Sequence, residues 1–165
     1  MKKTKNKGAV NMDFIEEFGD ELIVDNDADL PPGIRGFYAE ISNKKIVLLN
    51  KKINTQAEKR CVLLEEIGHY KTSAGNITDQ SKVENRKQEK EARAWAYRQA
   101  VGLSDLVQAY KSGVRNRYEL SEFLNVTEDF LQDALDYYKG KYGLYIEIDN
   151  YIIYFAPFGV LEKNF

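Results

Sequence analysis

Apolar residues recur at helical spacing along most of the chain and alternate with polar residues elsewhere, which predicts a mixed α+β fold. Helical periodicity marks the segments 56–73, 83–101, 104–112, 118–124 and 127–138. β-Branched and aromatic residues mark the segments 34–41, 45–50, 144–148 and 151–155. Short turn sequences separate the members of each pair of β segments, so one β-hairpin is predicted near each end of the chain.

The region before the first hairpin gives weaker signals. Residues 1–10 are rich in lysine and are expected to form a basic flexible tail. A short amphipathic helix is predicted over 11–22, where Phe14 and Phe18 are at helical spacing. The acidic stretch 25–33 ends in Pro-Pro-Gly and is expected to be a loop.

The predicted helix over 56–73 is apolar on most of its circumference. Its apolar positions are Ala57, Cys61, Leu63, Leu64, Ile67 and Gly68. The same helix carries Glu65, Glu66 and His69, the last being the single histidine of the chain. A buried helix does not tolerate two carboxylates without partners, so these polar residues are candidates for chemistry.

The spacing of the three polar residues is that of a metallopeptidase helix. Glu65 and His69 are four positions apart, so both reach one point beside a helix, and Glu66 lies next to it. In the H-E-x-x-H motif, positions i and i+4 hold a metal and the acid at i+1 removes a proton from water. Here the first position is Glu65 instead of histidine. The alternative reading is a solvated Glu–His pair, which is common on helices.

A catalytic metal site of this kind needs a third protein ligand. In the second long predicted helix, Glu89, Ala92 and Ala96 lie on one face, and the two alanines would let that helix approach another backbone closely. Glu89 is therefore the candidate third ligand. The alternative is that Glu84, Glu89 and Glu91 form a solvated charge run among lysines and arginines.

Length and composition exclude several other classes of function. The 165 residues suit one domain, and the net charge of −2 with a pI near 5.6 gives no general attraction to nucleic acid. Cys61 is the only cysteine, so neither an internal disulfide nor a cysteine-built metal cluster is possible. There is no run of about 18 apolar residues, so no membrane span is expected. A cytoplasmic protein without direct contacts to nucleic acid or membrane is predicted.

Three stretches of the chain, 64–70, 89–97 and 118–127, together resemble the ImmA/IrrE-type metallopeptidases of mobile genetic elements and bacterial stress regulation. The resemblance implies a minimal zincin-like α+β domain, with a small antiparallel sheet beside an active-site helix. A mainly helical C-terminal half and a terminal β-hairpin are expected to follow. On this reading 11–113 form the metallopeptidase-like core, and 114–165 form a helical and hairpin part of the same domain.

The resemblance also implies a role for each candidate residue. Glu65, His69 and Glu89 correspond to metal ligands and Glu66 to the general base. Phage-borne relatives share the Glu-Glu-x-Gly-His form of the motif. Zn²⁺ is the expected ion, and Mn²⁺ or Fe²⁺ are alternatives because two carboxylates and one imidazole form a harder ligand set than two imidazoles and one carboxylate.

The implied function is that of an intracellular endopeptidase that cleaves a helix-turn-helix repressor and so induces a phage or mobile element. One alternative is a catalytically impaired relative that binds a repressor or other regulator without cleaving it. Another is a DNA-binding helix-turn-helix over 118–138. Acidic residues such as Glu128 and Asp129 oppose this last reading, because a recognition helix needs basic or amide side chains there. The oligomeric state is not predicted.

Overall fold

A computed structural model of the chain describes residues 22–72 and 82–164. The strands are β1 (Leu22–Ala28), β2 (Gly36–Ile41), β3 (Lys44–Asn50), β4 (Tyr145–Ile148), β5 (Tyr151–Phe155) and β6 (Phe158–Glu162). The helices are α1 (Gln56–Thr72), α2 (Lys82–Ala100), α3 (Leu103–Lys111), α4 (Arg117–Leu124) and α5 (Glu128–Tyr142). The α+β class and the helices predicted between residues 56 and 138 are confirmed, with small shifts at the helix ends.

The N-terminal sheet has the strand order β1-β3-β2. The hairpin of β2 and β3 is confirmed, and its turn residues Ser42 and Asn43 both adopt positive φ, at 51° and 64°. Such turns match the twist of the strands they connect. Strand β1 pairs in parallel with β3, for example Ile23 with Ile46, so the sheet is mixed and the expectation of a purely antiparallel sheet was wrong.

The expected loop over 25–33 was also wrong in part, because residues 25–28 belong to β1. The side chains of Asp25, Asn26 and Asp27 are exposed, and β1 pairs with β3 at Asp25 and again at Ala28, with an irregularity between them. The composition therefore indicated a loop, although this segment belongs to a strand whose partner, β3, is distant in sequence. The basic tail and most of the predicted helix over 11–22 lie outside the described residues, and Leu22 begins β1.

Helix α1 packs on the inner face of this sheet and also against α2. One core cluster joins the sheet to α1 and contains Leu22, Val47, Leu49, Ile53, Val62, Leu63 and Ile67. A larger cluster joins α1 and α2 to the C-terminal elements and includes Leu64, Ala96, Leu106, Leu131 and Ile153. Trp95, the single tryptophan of the chain, packs against both clusters.

The C-terminal sheet is antiparallel, with the order β4-β5-β6. The predicted terminal hairpin is confirmed as β4 and β5, and β6 adds a third strand that was not predicted. Thr127 is the N-cap of α5, as expected, and accepts a hydrogen bond from the Phe130 N–H at 3.2 Å. The N-cap of α3 is Gly102 and not the expected Ser104, so the helix begins two residues earlier than predicted.

Helices α4 and α5 are separated by a short turn in which Asn125 adopts a left-handed conformation, with φ of 52°. The two helices predicted for this region are therefore present. Glu128 and Asp129 lie in the first turn of α5, and Asp129 is exposed. The argument against DNA binding stays a prediction. Within the described parts of the chain, every helix is too short or too polar to cross a lipid bilayer.

Candidate active site

Helix α1, which carries Glu65, Glu66 and His69, touches α2 backbone to backbone. A Cβ atom on Gly68 would overlap the carbonyl group of Ala92, and Ala92 and Ala96 are completely buried. Small residues on both helices allow this approach, as the spacing of the alanines predicted. Because His69 follows Gly68 and Glu89 lies one turn before Ala92, the approach brings these two side chains together.

The imidazole of His69 and the carboxylate of Glu89 are in direct contact. His69 Nε2 lies 3.3 Å from Glu89 Oε2, and both side chains are partly exposed. Two ligands about 2.1 Å from a tetrahedral metal ion are separated by about 3.4 Å. The pair is thus spaced as two ligands of one ion would be. The second oxygen, Glu89 Oε1, accepts a hydrogen bond from Arg93 Nε at 3.0 Å.

Glu66 faces the same cleft, which has a volume of about 330 Å³. The cleft is lined by Gly36, Phe37, Tyr38, Glu66, His69, Asn85, Gln88 and Glu89. Strand β2 lies directly over Glu66, since a Cβ atom on Gly36 would be 2.6 Å from Val62 Cγ1 and 2.9 Å from Glu66 Cγ. The backbone N–H of Tyr38 donates a hydrogen bond to the Glu66 carboxylate. The Glu66 side chain is therefore enclosed between its own helix, α1, and strand β2.

The surroundings of Glu66 favour its protonated form. Burial raises the pKa of Glu66 to about 7, and the neighbouring carboxylates Glu65 and Glu89 add to the increase, while the Tyr38 N–H opposes it. A general base is most effective when its pKa is near the working pH. Glu66 thus has the protonation behaviour that a base at neutral pH needs.

Comparison with known proteins gives one finding. The family model Peptidase_M78, described as the IrrE N-terminal-like domain, matches residues 23–136. The chain belongs to this family of peptidases. The match runs from β1 into α5 and includes every residue of the candidate site. Searches of the curated proteins and of the solved structures found no match.

Members of this IrrE-like family use a metal cofactor, typically zinc, so the site should contain side chains that can bind such an ion. His69 and Glu89 are two such side chains. Within residues 22–72 and 82–164, however, no three His, Cys, Asp or Glu side chains come together as a group that could hold a metal ion. The third predicted ligand, Glu65, has therefore not joined the pair. The assignment of Glu65, His69 and Glu89 as ligands, with Glu66 as base, stays a prediction.

The environment of Glu65 combines burial with two nearby cations. Burial raises the pKa of Glu65, and the guanidinium groups of Arg93 and Arg35 oppose that increase, so both cations lie within electrostatic reach. Arg35 forms an ion pair with Glu58 at 3.0 Å. Arg93 is the basic residue that is near both Glu65 and Glu89.

Two residues of this IrrE-like site were missed by the sequence reasoning. Gly36 was read only as part of a hairpin, although an isolated glycine in a strand often indicates close approach of another chain segment. Arg93 was given no role of its own. Its position four residues after Glu89 on a helix is the signal that would have linked the two side chains.

Proposed function

We propose that the chain is a cytoplasmic, metal-dependent endopeptidase of a phage or other mobile element, and that its substrate is a helix-turn-helix repressor. We assign the peptidase activity to this site because His69 contacts Glu89 beside Glu66, the candidate base. Membership of the IrrE-like peptidases supports it. The mobile-element and repressor parts rest on the resemblance of residues 64–70 to phage-borne relatives.

Glu65, His69 and Glu89 would hold the ion, with Zn²⁺ expected and Mn²⁺ or Fe²⁺ as alternatives. When bound, the ion supplies a Lewis acid that polarises the scissile carbonyl group and makes the attacking water more acidic. The His69–Glu89 pair already has a suitable separation. The Glu65 carboxylate has to turn toward that pair to complete the set.

In this mechanism Glu66 acts as the general base. Its carboxylate takes a proton from a water molecule in the cleft and then passes the proton to the leaving amine of the cleaved peptide bond. The Tyr38 N–H fixes the orientation of the carboxylate, and Gly36 leaves room for it. A pKa near 7 allows Glu66 both to accept and to release that proton at neutral pH.

Strand β2 offers a place for the substrate chain. It lies at the edge of its sheet, next to the cleft, and β3 is its only strand partner among the described residues. An extended peptide could pair with that edge as an additional strand, which would bring one of its peptide bonds to Glu66. The exposed ring of Phe37, at 51% exposure, would then contact the bound peptide.

The test uses the purified protein, a Glu66→Gln variant and any helix-turn-helix repressor found to be encoded beside it. We expect bound metal in both forms and cleavage of the repressor only by the parent. Loss of a general base should lower the rate at least about 100-fold. Cleavage by Glu66→Gln at the parent rate would exclude Glu66 as base, and absence of metal from an active parent would exclude the metallopeptidase mechanism.

The alternative is a relative that binds a repressor or other regulator without cleaving it. It is favoured by the separation of Glu65 from the His69–Glu89 pair, because a catalytic ion needs three protein ligands. A stable complex with the intact repressor, formed equally by the parent and by Glu66→Gln, would identify this role.

A further inference from the structure

The two oxygens of the Glu89 carboxylate have different partners. Oε2 faces His69 Nε2 at 3.3 Å, and Oε1 accepts a hydrogen bond from Arg93 Nε at 3.0 Å. Arg93 follows Glu89 by four residues on α2, so the helix itself keeps the guanidinium beside the carboxylate. The cation is therefore a fixed neighbour of one predicted ligand.

A second contact holds Arg93 in that position. The side chain of Tyr97, which is buried, accepts a hydrogen bond from Arg93. Glu89, Arg93 and Tyr97 are spaced four residues apart and thus form a row along α2, in which the Tyr97 ring packs against Phe130 and Tyr137 of α5. The guanidinium has fixed partners on both sides, although half of the Arg93 side chain is exposed.

The guanidinium is also close to the second predicted carboxylate ligand. Arg93 is partly buried, which would lower its pKa, yet the combined attraction of Glu65 and Glu89 raises it. Glu65 and Glu89 both add to the raised pKa of Glu66, so the negative charges of the three carboxylates act on one another. Like charges this close repel one another unless a cation offsets them.

We propose that Arg93 is a built-in counter-cation of Glu65 and Glu89, which stabilises the acidic cluster without metal and thereby lowers the affinity of the site for a divalent ion. The inference rests on the proposed function and concerns how that site is loaded. An ion that recruits Glu65 competes with the electrostatic attraction between this carboxylate and the guanidinium. An ion that binds Glu89 does so beside a fixed positive charge.

The variant that tests this role is Arg93→Gln, which removes the charge but keeps a group that can donate to Glu89. Arg93→Lys keeps the charge, and Lys90→Ala removes a charge from an exposed position of the same helix. For each protein, the dissociation constant for Zn²⁺ alone is measured by competition with a chromophoric chelator. The melting temperature is measured separately in excess chelator.

We expect Arg93→Gln to bind Zn²⁺ about tenfold more tightly than the parent, because a positive charge near the ion is gone. Without metal, its melting temperature should fall below that of Lys90→Ala. Arg93→Lys should resemble the parent in both measurements. Unchanged or weaker Zn²⁺ binding by Arg93→Gln, or a metal-free melting temperature equal to that of Lys90→Ala, would overturn the role of Arg93.

Failure of this role is distinguishable from failure of the proposed function. If the parent binds Zn²⁺ and cleaves the repressor but Arg93→Gln binds Zn²⁺ no more tightly, the peptidase assignment stands. Arg93 then does not compete with the metal ion. If neither the parent nor Arg93→Gln binds Zn²⁺, both proposals fall. Metal binding that appears only in Arg93→Gln would support the counter-cation role and favour the non-cleaving alternative for the parent.

Discussion

Gly68 of α1 lies directly against the carbonyl group of Ala92 on α2, with no space for a side chain between them. This contact sets the distance between the helices that carry His69 and Glu89. We expect Gly68→Ala to push the helices apart, to destabilise the fold by about 1–3 kcal/mol and to weaken metal binding. Thermal unfolding and Zn²⁺ titration measure the two effects.

Gly140→Ala is the matched control for that substitution. Gly140 lies within α5, and a Cβ atom there would meet nothing within 4 Å. Replacing a helical glycine by alanine should stabilise this variant by about 0.5–1 kcal/mol and leave metal binding unchanged. Equal behaviour of Gly68→Ala and Gly140→Ala would contradict the importance of the helix contact.

A second prediction concerns the contact of Gly36 with Glu66. A methyl group at position 36 would lie 2.9 Å from Glu66 Cγ, so Gly36→Ala must displace the carboxylate or the strand above it. We expect a loss of peptidase activity of about tenfold or more with smaller effects on metal content. Gly159→Ala in β6, where the same atom would meet nothing within 4 Å, should keep full activity. Retained activity in Gly36→Ala would argue against the placement of Glu66 under β2.

The raised pKa of Glu66 predicts a pH-dependent effect on stability. Folding raises this pKa from 4.5 to about 7, so the folded state favours the protonated carboxyl. The resulting stabilisation is present below pH 4.5 and is lost as the pH rises to about 7. Glu66→Gln should therefore raise the melting temperature of the metal-free protein by about 3 °C at pH 8 and have little effect near pH 4.5. The exposed substitution Glu91→Gln is the control, and equal shifts at both pH values would refute the argument.

Cys61 should be inert in the folded protein. Burial raises its pKa to about 11, and the residue is only 2% exposed. Since thiol reagents attack the thiolate, labelling at pH 8 should be negligible in the native state and should reach one group per chain in denaturant. Rapid labelling without denaturant would show that α1 opens away from α5. Cys61→Ala provides the unlabelled control.

The sequence predicted those parts of the fold that depend on local pattern. The stripe of α1 and the alanines of α2 have helical spacing, and their small residues correctly indicated close contact. Strand β1 was missed because Asp25, Asn26 and Asp27 are polar and their pairing partner lies about twenty residues away. Strand β6 was missed because an aromatic, proline-containing tail gives no clear alternation.

The candidate site, like the fold, was predictable only in part. The position of Glu89 followed from its place at the head of the Ala92–Ala96 stripe, and the structure brings it to His69. Helical spacing alone suggested that Glu65 would reach the same point. A side chain can adopt several rotamers, however, and the charge of Arg93 attracts this carboxylate. Such a competition depends on tertiary contacts that periodicity does not contain.

The position of Trp95 gives the protein a built-in optical reporter. Its indole touches the core beneath the N-terminal sheet and also the core of the C-terminal elements. Because it is the single tryptophan, all indole emission comes from the boundary between these two cores. A change in its fluorescence on adding metal or a peptide would therefore register relative movement of the two halves.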